Sequence, residues 1–155
     1  MFENRTANYG GAVAHATQQY NNQTDLTVTQ CPDNGSCGTV IFIQDNYGGG
    51  QGMFSGLSFN YSHSNPCTVF APPFAATGNC NTTDKKVDFG YIYFNTAFAV
   101  QVPIRWVVKH EAGHSFGLSH VPDDCQLLSV MMTGACANRP KNLQAHDIQD
   151  VNAWY

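Results

Sequence analysis

The arrangement of apolar and polar positions along the chain predicts most of its elements. Residues 11–20 are rich in Ala and Gln and contain no proline, which predicts a first helix. Leu26 and Val28 alternate with polar neighbours, and Thr39-Val40-Ile41-Phe42-Ile43 is a β-branched and aromatic run. Both read as strands, separated by a turn between Cys31 and Cys37. After Gly48-Gly49-Gly50, the segment Gly56–Tyr61 is a third strand candidate, followed by a long loop punctuated by Pro66, Pro72 and Pro73. Strand character returns over residues 87–95, where Phe89, Tyr91 and Tyr93 alternate with Asp88, Gly90 and Ile92. Pro103 suits the first turn of a helix. Ile104, Val107, Val108 and Phe116 make the following segment a largely buried helix that stops at Gly117. In residues 143–155, Leu143, Ile148, Val151 and Trp154 form the apolar stripe of a last helix. The order helix, strands, helix, helix lacks the strict alternation of a parallel α/β sheet and argues for an α+β fold.

Composition narrows the class. A chain of 155 residues without internal repeat or linker fits a single domain. Hydrophobic residues make up 43% of it, but no run approaches the roughly 20 apolar residues of a membrane span. Charged residues are only 12%, and 7 Lys+Arg against 11 Asp+Glu give a net charge of −4. With no basic stripe to neutralise phosphates, nucleic acid is excluded as a partner. The six cysteines, Cys31, Cys37, Cys67, Cys80, Cys125 and Cys136, fall into three sequential pairs around turn-forming residues, and no C-x-x-C occurs. Disulfides and an oxidising compartment follow, with Cys31–Cys37, Cys67–Cys80 and Cys125–Cys136 as the expected local pairs among the about 15 that six cysteines allow. Met1-Phe2-Glu3-Asn4-Arg5 leads into polar residues and not the apolar core of a signal peptide, so the chain reads as a mature or trimmed form. Sequons begin at Asn4, Asn22, Asn34, Asn60 and Asn81.

The chemistry concentrates in His110-Glu111-Ala112-Gly113-His114. On a helix, residues four apart share one face, so two imidazoles can reach a single ion with a carboxylate beside them. Gly117 can adopt a positive φ, end the helix and bring His120 to the same ion. Three imidazoles leave one position of a zinc ion open, as in catalytic sites and unlike closed structural ones. An isolated H-E-x-x-H arises by accident often enough to be ambiguous. Here the longer string specifies five positions and holds three of the chain's six histidines. One of only two glutamates, Glu3 and Glu111, stands where a general base belongs.

The string His110-Glu111-x-x-His114-x-x-Gly117-x-x-His120 resembles the metzincin clan of zinc metallopeptidases, whose motif is followed by a methionine-bearing turn, the Met-turn. Ser129-Val130-Met131-Met132-Thr133-Gly134 is similar to that turn in the matrixin and snapalysin families, with Met132 in the place of the methionine beneath the zinc and Met131 its nearest rival. The segment 143–154 is similar to the closing matrixin helix, and 87–96 to the strand that leads to the zinc helix. Cys125 and Cys136 resemble a snapalysin disulfide. His120, where snapalysins carry Asp, follows the matrixins. Thr133 and Gly134 replace the matrixin Tyr and Pro, which alters the wall of the pocket for the residue after the cleaved bond. By resemblance Asp147 braces the Met-turn; by position it suits the helix dipole.

The resemblance implies a single metzincin-like domain over 1–155. In it, 1–120 supply a twisted mixed sheet, the first helix and the zinc helix, and 121–155 the Met-turn and C-terminal helix. It also implies a secreted zinc endopeptidase acting on peptide or protein substrates. Zinc in such a site lowers the pKa of its bound water toward about 7, and Glu111 takes the proton and returns it to the leaving amine. Gly56, Leu57 and Ser58 lie in the segment resembling the edge strand against which metzincin substrates pair. The alternative is a metzincin-shaped zinc-binding or structural domain without peptidase activity, which would not need Glu111. One catalytic Zn2+ is expected. Matrixins hold a second, structural zinc with several upstream histidines, whereas His15, His63 and His146 are too scattered to form one. Asp45 offers a hard oxygen donor for Ca2+, but its setting favours a turn role and calcium is not expected. A monomer is expected, with any propeptide or inhibitor supplied from outside these residues.

Overall fold

The computed structural model describes residues 1–31, 40–45, 56–61, 67–69, 76–78, 89–95, 103–121, 128–132 and 139–155. The elements run β1 (Phe2–Arg5), α1 (Gly10–Gln23), β2 (Val40–Asp45), β3 (Gly56–Tyr61), β4 (Cys67–Val69), β5 (Ala76–Gly78), β6 (Phe89–Asn95), α2 (Ile104–Ser115) and α3 (Ala145–Trp154). They make an α+β fold. The main sheet has the order β1-β2-β6-β3, with β1 and β6 parallel to β2 and β3 antiparallel to β6. β3 therefore forms one edge among the described strands, with Leu57 opposite Tyr93 and Ser58 opposite Ile92.

The first strand departs from the sequence expectation, which gave no strand to this polar segment. Phe2 is buried, and the backbone is captured on two sides: Phe2 N donates to Thr29 O, Cys31 N to Phe2 O and Val40 N to Met1 O. Parallel pairing with β2, not apolar alternation, defines it. The expected strand at Leu26 and Val28 is not formed. Asn21 holds both backbone groups of Val28, its Oδ1 accepting from Val28 N at 2.6 Å and its Nδ2 donating to Val28 O at 2.7 Å, so no ladder partner is needed. Within the expected long loop, β4 and β5 form a small antiparallel ladder with Thr68 opposite Thr77.

Helix α1 buries Ala12, Val13, Ala16, Thr17 and Tyr20, the three-and-four spacing of one helical face. It ends where Thr24 turns extended, with Thr24 N and Oγ1 both donating to Tyr20 O. That face packs on α2, whose Val107 and Val108 join Ile92 and Phe94 of β6 in the core. Phe116, just past α2, stacks on Phe2 and meets the edge of Tyr20. Pro103 occupies the cap before α2 with extended backbone. Leu143, expected inside the last helix, precedes its cap residue Gln144 and still reaches the core.

Cys31 is held in a disulfide. Each of the three expected cysteine pairs includes a residue outside the described set, as do His63, Thr133 and Gly134. Among the described residues no helix is long and apolar enough to cross a membrane.

Candidate metal centre

The end of α2 creates the geometry of the site. Gly117 takes φ 89°, a conformation that costs a side-chain-bearing residue about 1–2 kcal/mol. Leu118 N donates to Gly113 O and Gly117 N to His114 O, the paired bonds of a Schellman motif. The chain thereby reverses, and His120 returns toward the two helical histidines. Val121 N then donates to Met131 O, and Val121 bridges Met132, which ties the returning strand to the turn at 129–132.

The ligand atoms of His110, His114 and His120 all lie within 4.8 Å of one another. His120 Nε2 is 3.1 Å from His110 Nε2 and 3.0 Å from His114 Nε2. Tetrahedral zinc with bonds of about 2.0–2.1 Å sets its nitrogens about 3.3 Å apart, close to these separations. The outer nitrogens explain why a cation fits. His110 Nδ1 donates to Val130 O at 2.7 Å and His114 Nδ1 donates to Leu118 O at 2.8 Å. Those bonds place each neutral ring's proton on Nδ1 and leave its Nε2 as a bare lone pair. His120 carries at most one proton on Nε2, and one N–H serves two lone pairs poorly. A shared cation satisfies all three.

Burial favours the same state. The His110 imidazole is pushed down to about 3, first by burial and then by the neighbouring His114, against the opposing effect of the Val130 carbonyl. His114 is pushed down to about 4, again chiefly by burial. Both rings are therefore neutral at pH 7, as metal ligation requires. His120 is exposed. Glu111 is buried at 5% exposure beside His110, while Lys109, on its other side, is fully buried, with Nζ 3.4 Å from His15 Nδ1. Burial, with Arg105 adding to it, lowers Lys109 to about 8.

Three further contacts hold the helical pair. Asp147, fully buried, accepts hydrogen bonds from Ser129 Oγ, from Val130 N at 3.1 Å and from Gln144 N at 2.8 Å, and Ser129 Oγ accepts from Met131 N at 2.9 Å. The carboxylate thus holds Val130 by its N–H and, through Ser129 Oγ, the peptide whose carbonyl orients His110. Tyr20 Oη donates to Lys109 O at 2.9 Å, so α1 anchors α2 one residue before His110. Met131 packs on α2 at Gly113, where a Cβ would run into its Sδ. Met132 is equally buried but stands outside the main core cluster.

The sequence string thus brings its three histidines together, and Asp147 sits in the bracing position that resemblance gave it. His15 and His146 are half-buried on α1 and α3. Sequence reading missed Tyr20, the Val130 and Leu118 carbonyls, and Trp106, whose place four residues before His110 on the same helix face was the available signal.

Three imidazoles, two of them kept neutral by burial, gathered at the end of a helix of an α+β fold with a buried glutamate in the same turn, define a zinc metallopeptidase class of site. The sequence model of the matrixin family matches residues 5–155, and the chain belongs to that family of zinc metallopeptidases, whose substrates are peptides or proteins. No curated protein matches the chain.

Proposed function

We propose that this protein is a secreted zinc endopeptidase, folded as a single metzincin-like domain over residues 1–155 with a twisted mixed sheet. The convergence of three Nε2 atoms, with both helical Nδ1 atoms already committed to carbonyls, carries the reading. His110, His114 and His120 would hold one zinc ion, which when bound supplies Lewis acidity and one open coordination position. Glu111 is the general base. It takes the proton of the attacking water and returns it to the leaving amine, and its burial beside the ligands keeps competing solvent from it. The edge strand β3, with Gly56, Leu57 and Ser58, receives the substrate backbone as an added strand.

Met132 takes the place beneath the histidines in this reading, while its neighbour Met131 packs its sulfur against α2 at Gly113, which lacks a Cβ. Disulfides Cys31–Cys37, Cys67–Cys80 and Cys125–Cys136 complete the proposed secreted form. Casein hydrolysis by purified protein, abolished by a chelator and restored by zinc, is the test. Protein that binds zinc yet leaves casein intact under all three conditions would leave only a zinc-binding domain.

A further inference from the structure

Trp106 is only 6% exposed, and its indole Nε1 is buried without a hydrogen-bond partner among the described residues. An aliphatic side chain would fill this core position without stranding a donor, so packing alone does not account for the indole. Its ring faces do have partners. The Trp106 and His110 ring centroids are 4.8 Å apart with planes inclined at 38°, the contact of residues four apart on one helix face. The Arg139 guanidinium carbon lies 4.7 Å from the Trp106 centroid. Arg139 follows the turn that carries Val130, so the contacts of Trp106 with the guanidinium and the imidazole join α2 to the segment beyond that turn.

The Val130 carbonyl restrains His110 at one atom, Nδ1. A hydrogen bond at one atom leaves the ring free to tilt about it, and a face contact is what limits tilt. We infer that Trp106, held by Arg139, is a positioning residue that sets the plane of the His110 imidazole, and through it the geometry of the bound metal. The inference rests on the metal-site reading above. Guanidinium is suited to hold the indole because it is planar, always charged and stacks on aromatic faces.

Cobalt(II) binding by competition with a chromophoric chelator, with the visible bands recorded for each complex, tests this on wild type, Trp106→Phe, Trp106→Leu and Arg139→Gln. Wild type that binds no cobalt rejects the metal site itself, and this inference with it. Once wild type binds, Trp106→Leu is expected to weaken cobalt binding about tenfold or more, the scale for groups that orient a ligand, and to shift the bands. Trp106→Phe, which keeps a ring face, should fall between. Arg139→Gln is the sharper arm. Removing a positive charge near a dication would by itself strengthen binding, so weaker binding with shifted bands and an unchanged thermal midpoint of the metal-free protein supports the stack. The inference is overturned if Arg139→Gln binds cobalt as tightly as wild type or more tightly with unmoved bands. It is equally overturned if affinity in both variants falls only in step with the metal-free thermal midpoint while the bands stay put.

Discussion

His110 and His114 stand on α2, while His120 stands beyond it, and the two regions are built on different principles. The helical pair is over-determined. Burial keeps both rings neutral, a carbonyl fixes each Nδ1, and the carbonyl facing His110 belongs to Val130, whose N–H donates to a buried carboxylate. His120 is exposed and lies past the left-handed Gly117, where the chain is tied back by the bond from Val121 N to Met131 O. Two imidazoles on a helix are thus completed by a third from beyond its end, the one of the three that is exposed.

Glu111→Gln should spare both regions and remove only the base. Casein hydrolysis is expected to fall about 10²–10⁴-fold with zinc content unchanged, and near wild-type turnover would reject Glu111 as base. Acid should reach the helical pair next. The unfolded rings titrate near 6.5 and the folded ones near 3 and 4, so the unfolded chain binds more protons between these values. Stability of the metal-free protein is then full above about pH 6.5 and lost progressively as pH falls toward 4 and 3. Thermal midpoints of the metal-free protein that stay level from pH 7 to 4 would contradict the buried neutral pair.

Asp147→Ala strands Ser129 Oγ and two backbone donors, and should cost about 3 kcal/mol in denaturant unfolding while loosening the His110 side. A loss well under 1 kcal/mol would mean that the clamp is not needed. Gly117→Ala strains the other region, by about 1–2 kcal/mol, and should weaken zinc binding by displacing His120 and the Leu118 carbonyl that holds His114. Tyr20→Phe removes one hydrogen bond to Lys109 O, which keeps its place in the helix, and should cost about 1 kcal/mol. If Gly117→Ala left zinc affinity intact, the dependence of His120 on that glycine would be broken.

The contrast also explains what the sequence made legible. The helical spacing of His110 and His114 and the stop at Gly117 are local, so residue order alone exposes them. The strands Gly56–Tyr61 and Phe89–Asn95 were readable for the same reason, from local propensity and turn signals. What escaped depends on long-range pairing. Phe2–Arg5 becomes a strand through its pairing with β2 and the segment at Thr29–Cys31, and Val28 loses its strand to the Asn21 side chain. The bond from Tyr20 to Lys109 spans the two helices, and the Trp106 and Arg139 stack crosses a turn. Neither leaves a periodic trace.

The central claim is that one zinc ion sits on three imidazoles drawn from both regions. Zinc quantified in dialysed wild-type protein and in His110→Ala and His120→Ala variants tests it most directly. The account predicts one zinc per chain in wild type, little retained by His110→Ala, and weakened but measurable binding by His120→Ala because the helical pair survives. Zinc retained at wild-type stoichiometry by His110→Ala, or no zinc in wild type after loading, would contradict it.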